Sequence, residues 1–218
     1  MNMSDTLPLS LDELLSTTRA VRKRLDFDRP VSRELVTECI DLAFQAPTGS
    51  NRQGWHFMVV EDGAKKQALQ DMYGRFFDPY VGAAKPQYAE GDTRGERQSK
   101  VTDSATFLRH NMHRAPYLVI PLLEGRATEG WNSMTQASYW GSILPAFWSF
   151  MLAARARGLG TAWTTLHLPA EQEAADILGI PFDKFTQGGL TPLAYTVGTD
   201  FKPAPRLDSS SLIHWDTW

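Results

Sequence analysis

The 218-residue sequence contains a single cysteine, Cys39. One thiol cannot form a disulfide within the chain, and its neighbours do not resemble a metal cluster or a catalytic dyad. We therefore interpret Cys39 as a small core residue on a helix. No apolar run reaches the length of a bilayer span, and residues 1–5 lack the charged-then-apolar order of a signal peptide. These absences predict a soluble, cytoplasmic protein.

An excess of charge of one sign is also missing. The net charge is -3, and 42% of the residues are hydrophobic and 22% charged, which is typical of a soluble globular protein. This balance provides no overall basic surface for nucleic acid. Aromatic residues are plentiful, with seven tryptophans and eleven phenylalanines. Such an excess indicates a large core, an oligomer interface or a pocket for a flat ligand.

Familiar catalytic motifs are absent as well. We find no G-x-S-x-G, no H-E-x-x-H, no P-loop, and no G-x-G-x-x-G after a strand. His110 and His113 lie one helical turn apart but have no acidic or cysteine partner nearby, so we do not predict a metal site. His56, His167 and His214 are scattered, and we interpret each as a structural imidazole with its hydrogen bonds satisfied. The chemistry therefore depends on a bound cofactor, or there is no catalysis.

Hydrophobic periodicity predicts one α+β domain that spans residues 1–218. The predicted helices cover residues 9–18, 31–45, 62–73, 98–113, 136–157 and 169–178, and the predicted strands cover 55–60, 116–123, 161–166 and 190–198. Pro145 should mark the start of a helix or a kink. Gly158 and Gly179 should end the helices that precede them.

Two segments do not follow a regular pattern. Residues 76–97 combine prolines, glycines, charges and tyrosines, and we predict that they form a substrate lid that carries Tyr80 and Tyr88. Residues 199–218 form an extended, proline-rich tail that ends in Trp218. Exposed tryptophans are unfavourable in water, so we expect the tail to pack on a second subunit.

The segment from Ala46 to Trp55 reads APTGSNRQGW and joins a predicted helix to a predicted strand. Its Ser, Asn and Gln side chains offer both donors and acceptors, and its glycines allow close approach of the backbone. These features suit a cradle for a planar heterocycle with polar edges. They are equally compatible with an ordinary polar loop.

Two other segments could contribute to the same ligand. Arg19 and Arg22 lie three residues apart on one helical face and could both bind a phosphate monoester through charge-assisted, bidentate bonds. Arg206, after two prolines, could add a third contact. The stretch 160–165, GTAWTT, offers amides and hydroxyls at the end of a predicted strand. A solvated basic face and a plain strand remain the alternatives.

Taken in order, four segments resemble the FMN-dependent nitroreductase family. They are TRAVR at 18–22, APTGSNRQGW at 46–55, GLGTAWTT at 158–165 and the late Arg206. The resemblance covers essentially the whole chain. The second motif is the most specific, because family members usually read A-P-S-x-x-N-x-Q-P-W there.

The resemblance implies an α+β fold with a central mixed or antiparallel sheet flanked by helices. It also implies an intertwined homodimer with FMN at the subunit interfaces. The resemblance assigns three groups of residues to the cofactor. Around the phosphate and ribityl chain it places Arg19, Ala20, Arg22 and Arg206. From the 46–55 segment, which reaches the flavin of the other subunit, it uses Pro47, Thr48, Ser50, Asn51 and Gln53, and beside flavin N5 it places Trp163, Thr164 and Thr165. It assigns no catalytic side chain and no metal ligand.

The function implied by the resemblance is reduction of a flat acceptor such as a nitroaromatic or a quinone. NAD(P)H would reduce the flavin, and the acceptor would then take electrons from the same pocket. Two alternatives stay open: other flavin chemistry on this scaffold, such as reductive dehalogenation or flavin breakdown, and a non-catalytic dimeric flavin-binding module. The physiological acceptor and the choice between NADH and NADPH also stay open.

The sequence departs from the family pattern at three places. Thr18 and Ala20 stand where Arg and Ser are usual, which removes one cation and one hydroxyl from the phosphate site. Gly54 replaces the usual proline before the tryptophan. Thr164 and Thr165 replace the acidic residue and glycine of enteric-type nitroreductases, and are closer to the threonine-rich variant of deiodinase-like members.

Overall fold

The structure, a computed structural model, describes residues 5–83, 86–89 and 92–218. The helices are α1 (Leu11–Thr17), α2 (Arg33–Ala43), α3 (Gly63–Gly82), α4 (Thr93–Asn111), α5 (Ser133–Ala156) and α6 (Glu171–Leu178). The strands are β1 (Leu25–Asp26), β2 (Trp55–Val60), β3 (Tyr117–Glu124), β4 (Leu159–Thr161), β5 (Phe185–Gln187) and β6 (Thr191–Thr196).

The strands form one sheet in which every described pair is antiparallel. The order is β1-β6-β3-β2, with β4 paired to β6 and β5 paired to β3. Because side chains alternate between faces along a strand, the apolar sequence of β3 is buried on both sides. Leu118 and Ile120 pack with α3, α4 and α6, whereas Tyr117 and Val119 pack with α2 and α5. The fold is therefore an α+β sheet covered by helices on both faces, as predicted.

Local sequence signals explain where several helices begin and end. Ser10 and Glu13 form a capping box at the start of α1, and the Ser32 side chain accepts from the Leu35 N–H at the start of α2. Gly158 and Gly179 follow α5 and α6 with φ of 75° and 74°, a conformation that costs glycine little. Both predicted glycine stops are confirmed.

Pro145 does not start a helix, because it lies inside α5. The Gly141 carbonyl loses its helical donor there without ending the helix, and the kink that was the other expectation stays a prediction. One strand boundary was predicted wrongly. The strand predicted over 161–166 is shifted, because β4 ends at Thr161 and only Thr164 pairs further on, in a single bridge to Leu190.

The predicted lid is less irregular than its composition indicated. Residues 76–82 complete α3, with Pro79 in its last turn, and residues 93–97 begin α4. The prediction that all of 76–97 is irregular is therefore wrong. Pro79 removes only the helical bond to the Arg75 carbonyl, and α3 continues to Gly82. Residues 84, 85, 90 and 91 lie outside the described part of the chain. The lid role of this segment stays a prediction.

Cys39 is fully buried on α2, and burial raises its thiol pKa to about 12. This placement confirms the interpretation of Cys39 as a core residue.

The tail carries large apolar side chains that are exposed within one subunit, namely Leu212, Ile213, Trp215 and Trp218. Within the described residues, no helix has the combination of length and apolar composition that a membrane span requires.

Candidate functional site

A basic groove of about 310 Å³ lies between the segment after α1 and one face of α4. We call it the basic groove because Arg and Lys dominate its lining. The lining residues are Arg19, Ala20, Val21, Arg22, Lys23, Arg24, Arg97, Lys100, Val101, Ser104 and Phe201. Arg97, Lys100 and Ser104 did not emerge from the sequence motifs. Their spacing of three and four residues places them on one helical face, which is the signal that could have found them.

Several cations of the basic groove have no counter-ion. Lys23 pairs with Asp103 and Arg24 with Asp200, but in the described part of the chain Arg19, Arg22 and Lys100 form no salt bridge. Arg22 Nη1 donates to Ser104 Oγ at 3.1 Å, and Arg19 Nη1 donates to the Lys202 carbonyl at 3.3 Å. Burial lowers the pKa of both arginines. Partly buried, unneutralised guanidiniums favour binding of an anion.

Arg206 lies near this groove without lining it. The pKa of Arg19 is lowered first by burial and then by the positive charges of Arg97 and Arg206. The late arginine therefore adds to the same positive field, although its own Nη1 donates only to the Pro205 carbonyl at 3.2 Å. The structure thus brings together the two ends of the predicted phosphate site.

An aromatic cavity of about 380 Å³ adjoins the basic groove and shares Arg22 and Val101 with it. We define it by the lining residues Tyr73, Phe77, Tyr80, Trp163, Thr164 and Thr165. The three residues predicted to lie beside the flavin therefore meet the predicted phosphate site at Arg22. Tyr73, Phe77 and Tyr80 come from α3 and were not predicted as cofactor residues.

The backbone of Thr164 is already engaged. Its N–H donates to the Leu190 carbonyl at 2.8 Å, and its carbonyl accepts from the Leu190 N–H at 2.9 Å. The Thr164 hydroxyl donates to Tyr73 Oη at 3.1 Å. Among the described residues, the N–H groups of Trp163 and Thr165 have no protein acceptor. These amides are available to a ligand, and Thr164 offers its side chain.

The 46–55 loop opens onto a third cavity, the loop cavity, of about 460 Å³. Thr48, Ser50 and Gly54 line it together with residues of α5, and none of its lining residues belongs to the basic groove or the aromatic cavity. Pro47, Asn51 and Gln53 are exposed. Within one subunit the structure does not bring the loop residues to Arg19 or Thr164.

This loop is held in a strained conformation. Ser50, Asn51 and Gln53 have φ of 53°, 53° and 52°, in the left-handed region that non-glycine residues rarely adopt. The Gly49 N–H donates to Ser142 Oγ at 2.9 Å, and Gln53 Nε2 donates to Asn51 Oδ1 at 2.9 Å. Strain of this kind persists where surrounding contacts enforce it, and it concentrates at binding sites.

The residues present fit FMN. The basic groove supplies unpaired guanidiniums for a phosphate. The adjoining aromatic cavity supplies flat walls, two threonine side chains and unpaired amides for a polar-edged ring. For a metal ion, the described residues contain no group of three or more His, Cys, Asp or Glu side chains in binding positions.

Sequence comparison gives a match to the Nitroreductase family model over residues 15–198. The chain is 31% identical over 172 residues to the 5,6-dimethylbenzimidazole synthase of Rhodospirillum rubrum. This alignment covers 76% of this chain and 73% of that protein. It is 43% identical over 63 residues to the 4-nitrobenzoate reductase of Pseudomonas putida, a local match to 29% of this chain and 26% of that protein.

Solved structures with the same fold include oxidized iodotyrosine deiodinase bound to FMN and 3-iodo-L-tyrosine, with a TM-score of 0.70 and 22% identity over 96% of this chain and 100% of that chain. The FMN and NADPH-dependent nitroreductase NfnB from sphigopyxis sp. strain HMH has a TM-score of 0.65 and 20% identity over 96% and 100% of the two chains. The likeness extends over nearly the whole chain, and the family model spans most of it. The chain belongs to the nitroreductase family.

Proposed function

We propose that the protein is an FMN-dependent oxidoreductase that uses NAD(P)H to reduce a flat acceptor such as a nitroaromatic or a quinone. The observation that carries this proposal is the junction of the basic groove with the aromatic cavity at Arg22. One cofactor with a phosphate at one end and a flat ring at the other matches this pair of adjoining sites.

The residues have distinct parts in this proposal. Arg19, Arg22 and Arg206, together with Arg97 and Lys100 on α4, hold the phosphate by charge-assisted hydrogen bonds. Ala20 lies between the two arginines and leaves room for the ribityl chain. Bound FMN supplies the redox chemistry.

The Trp163–Thr165 segment holds the reactive edge of the ring. Trp163 is fixed by edge packing on Phe147 at 4.6 Å between ring centroids. Thr164 is fixed by its two backbone bonds to Leu190. A segment held at both the backbone and a neighbouring ring orients a ligand without further ordering cost.

We further propose a homodimer in which Pro47, Thr48, Ser50, Asn51 and Gln53 reach the FMN of the other subunit. The support is that the loop cavity is separate from the other two cavities, so these residues need a second subunit to meet a flavin. Trp215 and Trp218 are 83% and 101% exposed in one subunit, and apolar side chains of this size favour a partner surface.

The phosphate assignment is tested with Arg19→Gln/Arg206→Gln. We expect this variant to lose FMN affinity about a hundredfold or more, because each charge-assisted bond contributes about 1.5–3 kcal/mol. The measurement is the FMN content and visible spectrum of purified protein, followed by titration with FMN. Arg75→Gln is the matched control, since Arg75 pairs with Glu173 on the surface away from the groove. Full occupancy of the double variant would contradict the assignment.

The reaction is tested by following NADH and NADPH oxidation with nitroaromatic and quinone acceptors. We expect turnover that requires FMN and follows ping-pong kinetics, because donor and acceptor use the same cavity in turn. Loss of the flavin itself in air would instead indicate flavin breakdown, and halide release from a halogenated phenol would indicate dehalogenation. A dimer that binds flavin without any turnover would leave only a binding module.

A further inference from the structure

Two hydroxyl groups meet in the aromatic cavity. Thr164 Oγ1 lies 3.1 Å from Tyr73 Oη, and both residues line the cavity. Tyr73 is only 4% exposed, and its ring stacks on Phe77 with centroids 5.6 Å apart. The phenol is thus fixed by packing, and the threonine is fixed by its backbone pairing with Leu190.

The donors in this pair can be counted. Each hydroxyl carries one hydrogen, and their mutual bond uses one of the two. Among the described residues, neither hydroxyl makes a second hydrogen bond to protein. One O–H of the pair is therefore available to a ligand in the cavity, whichever of the two residues donates in the mutual bond.

Burial keeps the phenol of Tyr73 neutral, against the effect of the nearby arginines. Burial is the main influence and raises the pKa of Tyr73, while the bond from Thr164 and the charges of Arg22 and Arg109 lower it and Tyr80 raises it. A phenol whose pKa lies above its ordinary value of about 10 stays protonated at neutral pH. Tyr73 can therefore donate a hydrogen bond throughout the neutral pH range.

We propose that Tyr73 is a positioning residue that sets the direction of the Thr164 hydroxyl. With FMN bound, the bond between the two hydroxyls would reverse its direction by rotation of both O–H groups, so that Tyr73 O–H donates to Thr164 Oγ1 and Thr164 O–H is directed to the polar edge of the flavin ring. Without the phenol, the threonine hydroxyl is free to rotate among its staggered positions and donates to the ring only part of the time. This inference rests on the proposed function. It adds Tyr73, on α3, as the residue that orients the hydroxyl beside flavin N5.

Tyr73→Phe tests the proposal, because it removes Oη and keeps the ring that stacks on Phe77. We expect FMN to remain bound, its reduction midpoint potential and visible absorption bands to shift, and its rate of reduction by NAD(P)H to fall about fivefold, the effect of one neutral hydrogen bond. Thr164→Val should shift the potential and the spectrum in the same direction and at least as far, because it removes the donor altogether. The double variant should show no more than Thr164→Val alone, since Tyr73 acts only through that hydroxyl.

Tyr117→Phe is the matched control. Tyr117 is also a buried tyrosine, and its Oη donates to the Val31 carbonyl at 3.1 Å, within the core cluster of α2 and α5 on the other face of the sheet. It should lower stability without moving the potential or the spectrum. Equal shifts in both tyrosine variants, or no shift in Tyr73→Phe, would overturn the proposal for Tyr73 alone. A wild-type protein that binds no FMN would overturn the proposed function as well.

Discussion

His167 is fully buried just after the Trp163–Thr165 segment. Among the described residues, no hydrogen bond of ordinary geometry reaches either ring nitrogen or Gln187 Oε1, although the Gln187 side chain acts on the imidazole as a hydrogen-bond partner. The burial of His167 agrees with the expectation of a structural imidazole, and full satisfaction of its hydrogen bonds stays a prediction. Burial is the main cause that lowers the pKa of His167 to about 4, and it outweighs the opposing effects of Gln187 and Glu171.

This pKa predicts acid sensitivity. The unfolded chain binds a proton at His167 near pH 6.5, while the folded protein binds it only near pH 4. The stability due to this difference is complete above about pH 6.5 and is lost as the pH falls toward about 4. We expect about 2 kcal/mol to be lost at this site between pH 7.5 and pH 5.

The measurement is urea unfolding of the wild type and His167→Gln at both pH values. The variant should lose less stability on acidification, because its amide does not titrate. His214→Gln, at an exposed imidazole on the tail, should behave as the wild type. An unchanged pH dependence in His167→Gln would contradict the prediction.

The element that links the tail to the fold is the stretch 199–202, which we call the tail root. The Phe201 ring lies under two guanidiniums, with Arg24 at 4.2 Å and Arg155 at 4.9 Å from its centroid. Arg155 Nη2 also donates to the Thr199 carbonyl at 3.1 Å, and Arg19 Nη1 donates to the Lys202 carbonyl at 3.3 Å. These contacts direct the tail toward the basic groove four residues before Arg206.

We therefore expect Phe201→Ala to weaken FMN binding about tenfold by freeing Arg206, since each contact of this type contributes about 1–2 kcal/mol. Calorimetric titration of the apoprotein with FMN is the measurement. Combining Phe201→Ala with Arg206→Ala should add little to Arg206→Ala alone, because both act through the same arginine.

Phe182→Ala is the control, since Phe182 is also half-buried under a guanidinium, that of Arg126 at 3.9 Å, and does not line the basic groove. It should leave FMN affinity unchanged. Independent, additive losses from Phe201→Ala and Arg206→Ala would show that the tail root does not act through Arg206.

Elements with long patterns were predictable from the sequence, and short ones were not. The apolar stripe of α2 and the β-branched and aromatic run of β2 follow hydrophobic periodicity over several residues. β1 and β5 contain two and three residues, too few for any period to show, and exist because neighbouring strands supply their partners. Arg97 and Lys100 were missed for a related reason: they face the basic groove only because the fold packs α4 against the segment after α1.

At the scale of the whole molecule, the candidate site is divided between surfaces that do not meet in one subunit. The motifs of the sequence predicted each surface, and the resemblance predicted that a second subunit joins them. The separation of the loop cavity from the basic groove is compatible with that arrangement. It leads to a direct test of which subunit the Asn51 loop serves.

Co-expression of an Arg19→Gln/Arg206→Gln subunit with an Asn51→Ala subunit provides this test. If the loop acts across the interface, the mixed dimer has one site with every defect and one intact site. The mixed dimer, isolated through a different tag on each subunit, should then hold about half of the wild-type amount of FMN. If the loop acts within its own subunit, both sites stay defective. Differently tagged wild-type subunits, purified through both tags, give the reference occupancy.

The basic groove draws its charge from Arg19, which precedes β1 in the sequence, and from Arg206, which follows β6. Arg206 is therefore synthesised only after β1 to β6 have all been made. The groove cannot acquire its full charge before that point, whatever has folded by then. An anionic ligand that needs the whole groove cannot act as a template for early folding of the sheet.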